Sequence, residues 1–164
     1  RIELLGHEYN HERVSLSSVL GKLESSENVE FPKESITYSF SDIGPHNMLK
    51  RGERYFFLDL EFFGKDSAVK MFVDFILHPK NNFSHQDKLL ALNRAEKEFG
   101  IDSDLAIRSA PFFAAKWATI VARRMNLDYG EQNLSKLRRN FEIYLEIATA
   151  TDIKQVQEKL LKVR

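Results

Sequence analysis

The chain contains no cysteine, so disulfide bonds are excluded, and a reducing cytoplasm is the compartment that fits. It has no excess of either charge, with 24 Lys and Arg against 24 Asp and Glu. A surface that binds nucleic acid needs a basic excess to neutralise phosphates, so we do not expect nucleic acid as a partner. No apolar run approaches the ~20 residues that span a bilayer, and no signal-peptide pattern is present. The sequence therefore predicts a cytoplasmic protein without a membrane span.

The residues that are present are typical of a globular domain, with 43% hydrophobic and 29% charged residues. At 164 residues the chain has the length of one domain, and we expect a single domain over residues 1–164. Thirteen Phe predict a core that is built on aromatic volume. The first residue is Arg1 rather than Met, which suggests a fragment of a longer protein.

The chain is organised around residues 36–64. A polar loop at 41–47 precedes two apolar runs, which are joined by a charged, glycine-containing turn at 51–53. This pattern predicts a small β-hairpin at about 36–60, and its second strand ends on Asp59.

Three side chains of this segment carry oxygen atoms that suit a metal ion. Asp42 and Asn47 lie on the polar loop, and Asp59 ends the strand that returns beside it. Two carboxylates and an amide oxygen form the hard ligand set that Mg2+ prefers. A carboxylate outside the metal sphere can orient a hydroxyl and receive its proton. The pattern therefore indicates phosphoryl transfer, in which positioning and charge neutralisation do most of the catalysis.

Three segments resemble a known family. They read SFSDIGPHN at 39–47, FLDLEFFG at 57–64 and ILHP at 76–79, and a weaker likeness continues through 112–126. These segments resemble the catalytic and metal-binding parts of the aminoglycoside phosphotransferase-like enzymes, which are small-molecule kinases with a protein-kinase-like fold.

The resemblance implies a mostly helical α+β fold, namely a kinase-like C-terminal lobe with a helical part at 66–164. It implies that Asp42 is the catalytic aspartate and that Asn47 and Asp59 bind the cofactor as Mg2+ ligands. The reaction it implies transfers a phosphoryl group from ATP to a hydroxyl of a small molecule. Sugars or cell-envelope precursors are plausible acceptors in the most similar part of the family.

Two departures from the family pattern matter. Phe40 stands where many members have a histidine, so a role for that histidine is absent here. Nothing before Ile36 resembles the glycine-rich loop and lysine that hold ATP in the N-terminal lobe of these enzymes. We therefore expect the missing N-terminal lobe as a partner, and we expect this chain to be weak or inactive alone.

The hydrophobic pattern outside the hairpin predicts helices. The Ser84 side chain with Asp87 predicts a capping box at a helix start, Gly100 predicts the end of that helix, and Pro111 lies early in another. The predicted helices cover residues 1–23, 66–77, 84–99, 111–125, 134–148 and 152–163.

Several polar residues near the predicted site have two readings. Asp74 either holds the catalytic loop or lies on a solvent-exposed helix stripe beside Lys70. Glu61 either supports the metal site or pairs with Lys65. His46 either contacts substrate or shapes its loop. His78 and His85 flank a turn, where capping or solvent exposure is expected rather than metal binding.

Two other functions are alternatives to phosphoryl transfer. His7-Glu8-Tyr9-Asn10-His11 fits the H-E-x-x-H pattern of zinc peptidases, but the charged Glu12 and Arg13 follow it, and a polar face of a surface helix explains the motif better. A non-catalytic, kinase-like binding module is the remaining alternative, and the absence of an ATP-holding segment favours it.

Overall fold

Helices dominate the described residues. The computed structural model describes residues 10–24, 29–40, 42–125 and 131–162. The helices there are α1 (Asn10–Glu24), α2 (Ala68–Leu77), α3 (His85–Phe99), α4 (Ser103–Met125), α5 (Glu131–Ala148) and α6 (Ile153–Lys162). The strands are β1 (Ile36–Ser39), β2 (Met48–Arg51), β3 (Arg54–Phe57) and β4 (Gly64–Ser67). The predicted α+β, mostly α class is confirmed.

The chain groups into two compact units. One unit contains residues 29–109, with all four strands, α2, α3 and the start of α4. The other contains α1, the rest of α4, α5 and α6. The expectation of one domain over 1–164 stays a prediction.

The strands of the first unit form two antiparallel pairs rather than a single hairpin over 36–60. β2 and β3 pair with Met48 opposite Phe57, around a turn in which Gly52 adopts the left-handed conformation that glycine tolerates (φ 60°). β1 instead pairs with β4, with Ile36 opposite Ser67. The sequence did not predict β4, because Gly-Lys-Asp-Ser has a low β propensity and resembles a helix start.

α2 begins and ends as its sequence predicts. The Ser67 side chain accepts a hydrogen bond from the Lys70 backbone N–H (3.4 Å), and the helix ends before His78 and Pro79. Its buried face carries four apolar side chains, Val69, Val73, Ile76 and Leu77. Burial of this face stabilises α2 against β1 and β4, since each fully buried aliphatic side chain contributes about 1.5–3 kcal/mol.

α3 has the predicted capping box. The Ser84 hydroxyl accepts from the Asp87 backbone N–H (3.1 Å), and the Asp87 carboxylate accepts from the Ser84 backbone N–H (2.8 Å). Gly100 ends the helix in the left-handed conformation (φ 63°). Both ends of α3 are therefore set by local sequence.

α4 differs from its prediction. The helix begins at Ser103, after Asp102 accepts from the Leu105 backbone N–H (2.9 Å), and continues through Pro111. Proline removes one intrahelical hydrogen bond, but burial of Ala106, Ala110 and neighbouring residues outweighs that loss. The predicted helix start at Pro111 is therefore wrong, and the predicted end at Met125 is confirmed.

The second unit buries one face of each of its helices. Trp117 and Tyr144 stack with ring centroids 6.4 Å apart, and Asp152 caps α6 by accepting from the Gln155 backbone N–H (2.9 Å). The apolar faces of α1, α5 and α6 bury Leu16, Val19, Phe141, Ile147, Val156 and Leu160. No helix in the described ranges is both long enough and apolar enough to cross a bilayer.

The core is not built on phenylalanine. All thirteen Phe lie in the described residues, and Phe141 is the one that is fully buried. Small and aliphatic side chains fill the core instead, above all the alanines of α4. The expectation that the thirteen Phe build the core is therefore wrong, although Phe141, Trp117 and Tyr144 are buried. Composition counts side chains without indicating which face of the chain they occupy.

Candidate functional site

A short polar loop holds Asp42 and Asn47 together. Residues 45–47 form one turn of 3-10 helix, in which the Asn47 backbone N–H donates to the Gly44 carbonyl (2.9 Å). The buried Asn47 amide nitrogen donates to the backbone carbonyl of Asp42 (3.0 Å) and to its carboxylate (3.4 Å). Pro45 opens this turn and the extended backbone of Met48 ends it, so the hydrogen bonds of Asn47 hold the rest of the loop. The predicted pairing of Asp42 with Asn47 is present.

Asp59 reaches the same region through the backbone. The Leu58 N–H donates to the Asn47 carbonyl (2.8 Å), which extends the β2–β3 ladder by one pair and places Asp59 directly after it. Asp59 has φ 56°, and it is the one non-glycine residue with positive φ in the described ranges. Its side chain is exposed, and no described hydrogen bond or ion pair joins it to Asp42. Such left-handed residues concentrate at functional positions because the surrounding structure must hold them.

Two histidines lie beside Asp42. His46 Nε2 is 3.6 Å from Asp42 Oδ2, and His78 Nε2 is 3.6 Å from Asp42 Oδ1. The two imidazoles stack with centroids 4.9 Å apart, and His78 is buried while His46 is partly exposed. The Lys80 backbone N–H donates to His78 Nδ1 (3.2 Å). Asp42 therefore faces an imidazole on each of its two oxygens.

Gly44 makes this arrangement sterically feasible. A Cβ atom at this position would lie 2.6 Å from two ring atoms of His46 and 3.0 Å from Cε1 of His78. Its backbone is extended (φ −142°, ψ 161°), a conformation that every residue adopts, so the contact rather than the backbone requires glycine.

Phe40 connects the loop to the hairpin. Its ring stacks on Phe57 (centroids 4.6 Å) and contacts Phe63 (5.4 Å), which in turn stacks on Tyr38 (5.7 Å). Phe40 is therefore a packing residue, which positions the loop against β3.

The remaining residues near the predicted site are Asp74 and Glu61. Asp74 is buried, and its Oδ2 lies 3.9 Å from Lys70 Nζ, so the Lys70 neighbour is present but the solvent-exposed stripe is wrong. Its role in holding the loop stays a prediction. Glu61 lies in an exposed turn, and no ion pair joins it to Lys65 among the described residues. Support of a metal site by Glu61 also stays a prediction.

His78 is the functional candidate that sequence reasoning missed. It was expected as a capping or solvent group, and it does end α2, but it is also buried against Asp42. The ILHP segment at 76–79 was the available signal, because a histidine between an apolar helix end and a proline is held in place on both sides. His85 opens α3 and is exposed, as expected. The zinc-peptidase motif cannot be located, because His7 and Glu8 lie outside the described residues.

A separate cavity of about 770 Å³ lies in the same unit. Its lining is mostly apolar and does not include Asp42, Asn47 or Asp59. Ile43 is the loop residue that reaches it. The polar loop thus contributes one residue to the wall of the cavity, but the carboxylates of Asp42 and Asp59 do not line it.

No protein-family model, curated protein or solved structure matches this chain.

Proposed function

We propose that the loop of Asp42 and Asn47, with Asp59, is the catalytic site of an ATP- and Mg2+-dependent phosphotransferase that acts on a hydroxyl of a small molecule. The observation that supports this most is the double contact of Asn47. Its side chain donates to Asp42, while its backbone carbonyl binds the residue before Asp59. One residue thus links the three side chains on which the resemblance depends.

The donors suit Mg2+ in their chemistry. The Asn47 amide nitrogen is used by Asp42, which leaves the amide oxygen as the end that can bind an ion, and Asp59 offers an exposed carboxylate. When bound, Mg2+ would neutralise charge on the ATP phosphates. Asn47 and Asp59 would hold it, and Asp42 remains outside its ligand set.

Asp42 has the role of a general base. Its carboxylate accepts the proton of the acceptor hydroxyl while that oxygen bonds to the γ-phosphorus and the bond to ADP breaks. The Asn47 amide fixes the carboxylate, so the base is oriented before the acceptor arrives. Sugars or cell-envelope precursors are the acceptor class to test first.

The exposed apolar side chains of the hairpin fit a nucleotide-binding lobe as their partner. Large apolar side chains are exposed along β2, β3 and the turn that follows, and a concentration of exposed apolar side chains often marks an interaction site. They are Leu49, Tyr55, Phe56, Phe57, Leu58, Leu60, Phe62 and Phe63. We assign this surface to the nucleotide-binding lobe, so the 164 residues alone should turn over ATP weakly or not at all.

The test uses the natural protein that contains these residues, with ATP, Mg2+ and a panel of hydroxyl acceptors. Asp42→Asn keeps the shape of the side chain, and Asp59→Asn keeps a residue that tolerates positive φ, so both remove charge alone. We expect each to lower turnover by about 10²–10⁴-fold. Glu53→Gln, in the exposed hairpin turn, is the matched control and should retain activity. Wild-type turnover in both Asp variants would refute the proposal.

A non-catalytic binding module is the second candidate, and the exposed aromatic surface favours it as well. It predicts no Mg2+-dependent nucleotide binding. Calorimetry of the natural protein with ATP, with and without Mg2+, separates the two functions, since the phosphotransferase requires a signal that disappears when Asp59 becomes Asn.

A further inference from the structure

We propose that Asp42, His46 and His78 form a binding site for a transition-metal ion, with Zn2+ as the best fit. One ligand atom from each residue lies within 4.8 Å of the other two. This group is distinct from the oxygen set of Asn47 and Asp59, and the proposal that an ion binds here does not depend on the proposed phosphoryl transfer.

The two His–Asp42 distances are longer than hydrogen bonds and match the separation of two ligands around one ion, with each imidazole facing a different oxygen of the carboxylate. Both His Nε2 to Asp42 contacts measure 3.6 Å, whereas N–H···O bonds measure about 2.7–3.2 Å. Ligands at about 2.0–2.2 Å from a tetrahedral Zn2+ are about 3.3–3.6 Å from one another. The Asp42 carboxylate and each imidazole are therefore separated by the space that an ion between them would require.

The ligand chemistry selects the ion. Two imidazole nitrogens and one carboxylate oxygen suit Zn2+ and its neighbours in the transition series, whereas Mg2+ prefers oxygen ligands alone. Three protein ligands leave a fourth position for water or another ligand.

The surroundings hold the three ligands in place. Asn47 donates to the Asp42 carboxylate, and hydrogen bonds of this kind commonly orient the ligands of a metal ion. His78 is buried at the end of α2, and Gly44 leaves room for both rings. The Lys80 backbone N–H opposes binding, because His78 must carry its proton on Nδ1 when Nε2 ligates an ion. Binding would replace this 3.2 Å hydrogen bond by a metal–ligand bond at Nε2.

The effect of Zn2+ on catalysis rests on the proposed function, in which Asp42 is the general base. A carboxylate that ligates Zn2+ cannot receive the proton of the acceptor hydroxyl, so the ion and the acceptor exclude each other. Zn2+ would then inhibit the transferase at its base rather than at its Mg2+ ligands.

The test is titration of the 164-residue chain with Co2+, followed by visible ligand-field absorption, and with Zn2+, followed by calorimetry. We expect one ion per chain and at least about tenfold weaker binding in His46→Ala and in His78→Gln, since even loss of outer-shell groups costs 10–100-fold. His46 is partly exposed, so its variant should fold even if the buried His78 variant does not. Circular dichroism checks that both variants are folded.

Two control variants locate the ion. His85→Ala, at the exposed start of α3, and His11→Ala, in the H-E-x-x-H motif, should bind as the wild type does. Loss of binding in His11→Ala with retention in His46→Ala would assign the ion to the N-terminal motif and overturn the proposal. Absence of ligand-field bands would overturn it as well, while leaving the proposed phosphoryl transfer untouched.

Discussion

Gly44→Ala should disturb the histidine pair while leaving the backbone path intact. The new Cβ atom would lie 2.6 Å from the Cε1 and Nδ1 atoms of His46, although unstrained contacts between carbon atoms are about 3.5–4.0 Å. The His46 ring must therefore move by about 1 Å. Because this ring is partly exposed, it can rotate toward solvent and lose its stacking on His78.

The expected loss of stability is modest. Overpacking costs about 1–3 kcal/mol, and alanine recovers about 0.4–1 kcal/mol by restricting the unfolded chain. His78 is buried and has its own 3.0 Å contact with the new atom, so part of the strain remains. We expect the free energy of unfolding to fall by about 1 kcal/mol.

Gly21→Ala is the matched control. Gly21 lies inside α1, and nothing lies within 4 Å of the position that its Cβ would occupy. The same substitution should stabilise the helix there by about 1 kcal/mol. Urea unfolding followed by circular dichroism measures both variants, and NMR of the imidazole protons reports the position of His46. A Gly44→Ala protein that is as stable as the wild type, with unchanged His46 resonances, would refute the packing argument.

Three further outcomes are expected. Ser84→Ala should lower the free energy of unfolding by about 1 kcal/mol because the Asp87 backbone N–H loses its acceptor. Urea unfolding measures this, with Ser18→Ala, at an exposed position inside α1, as the comparison. Burial lowers the pKa of Lys88 to about 8. Between about pH 8 and 10 the unfolded chain therefore keeps a proton that the folded chain has released. The free energy of unfolding should then rise with pH, by at most about 1.4 kcal/mol per pH unit. Lys88→Met should remove that rise, and a rise that persists in it would rule out Lys88 as the cause. Zn2+ should inhibit phosphoryl transfer competitively with the acceptor. Steady-state kinetics at several acceptor concentrations would show this. Inhibition that is unaffected by acceptor concentration contradicts shared use of Asp42.

Local signals predicted most element boundaries. Ser67 and Ser84 mark helix starts, and Gly52 and Gly100 mark a turn and a helix end, because each acts on backbone groups within a few residues. Pro111 led to a wrong prediction for the start of α4, because the helix there does not depend on local signals alone. Its local cost is real, but burial of the surrounding alanines decides the helix there.

For the candidate site as well, some features follow from the sequence and others from the tertiary structure alone. The amino-acid sequence by itself determined the mostly helical class and the capped helices, because periodicity and capping are local properties. It also pointed to Asp42, Asn47 and Asp59 as candidate ligands through their residue chemistry, and that assignment stays a prediction. Only the tertiary structure decided that β1 pairs with β4 and that His78 lies against Asp42. Both contacts join residues far apart in the chain, and such contacts depend on how the whole unit packs rather than on any one segment.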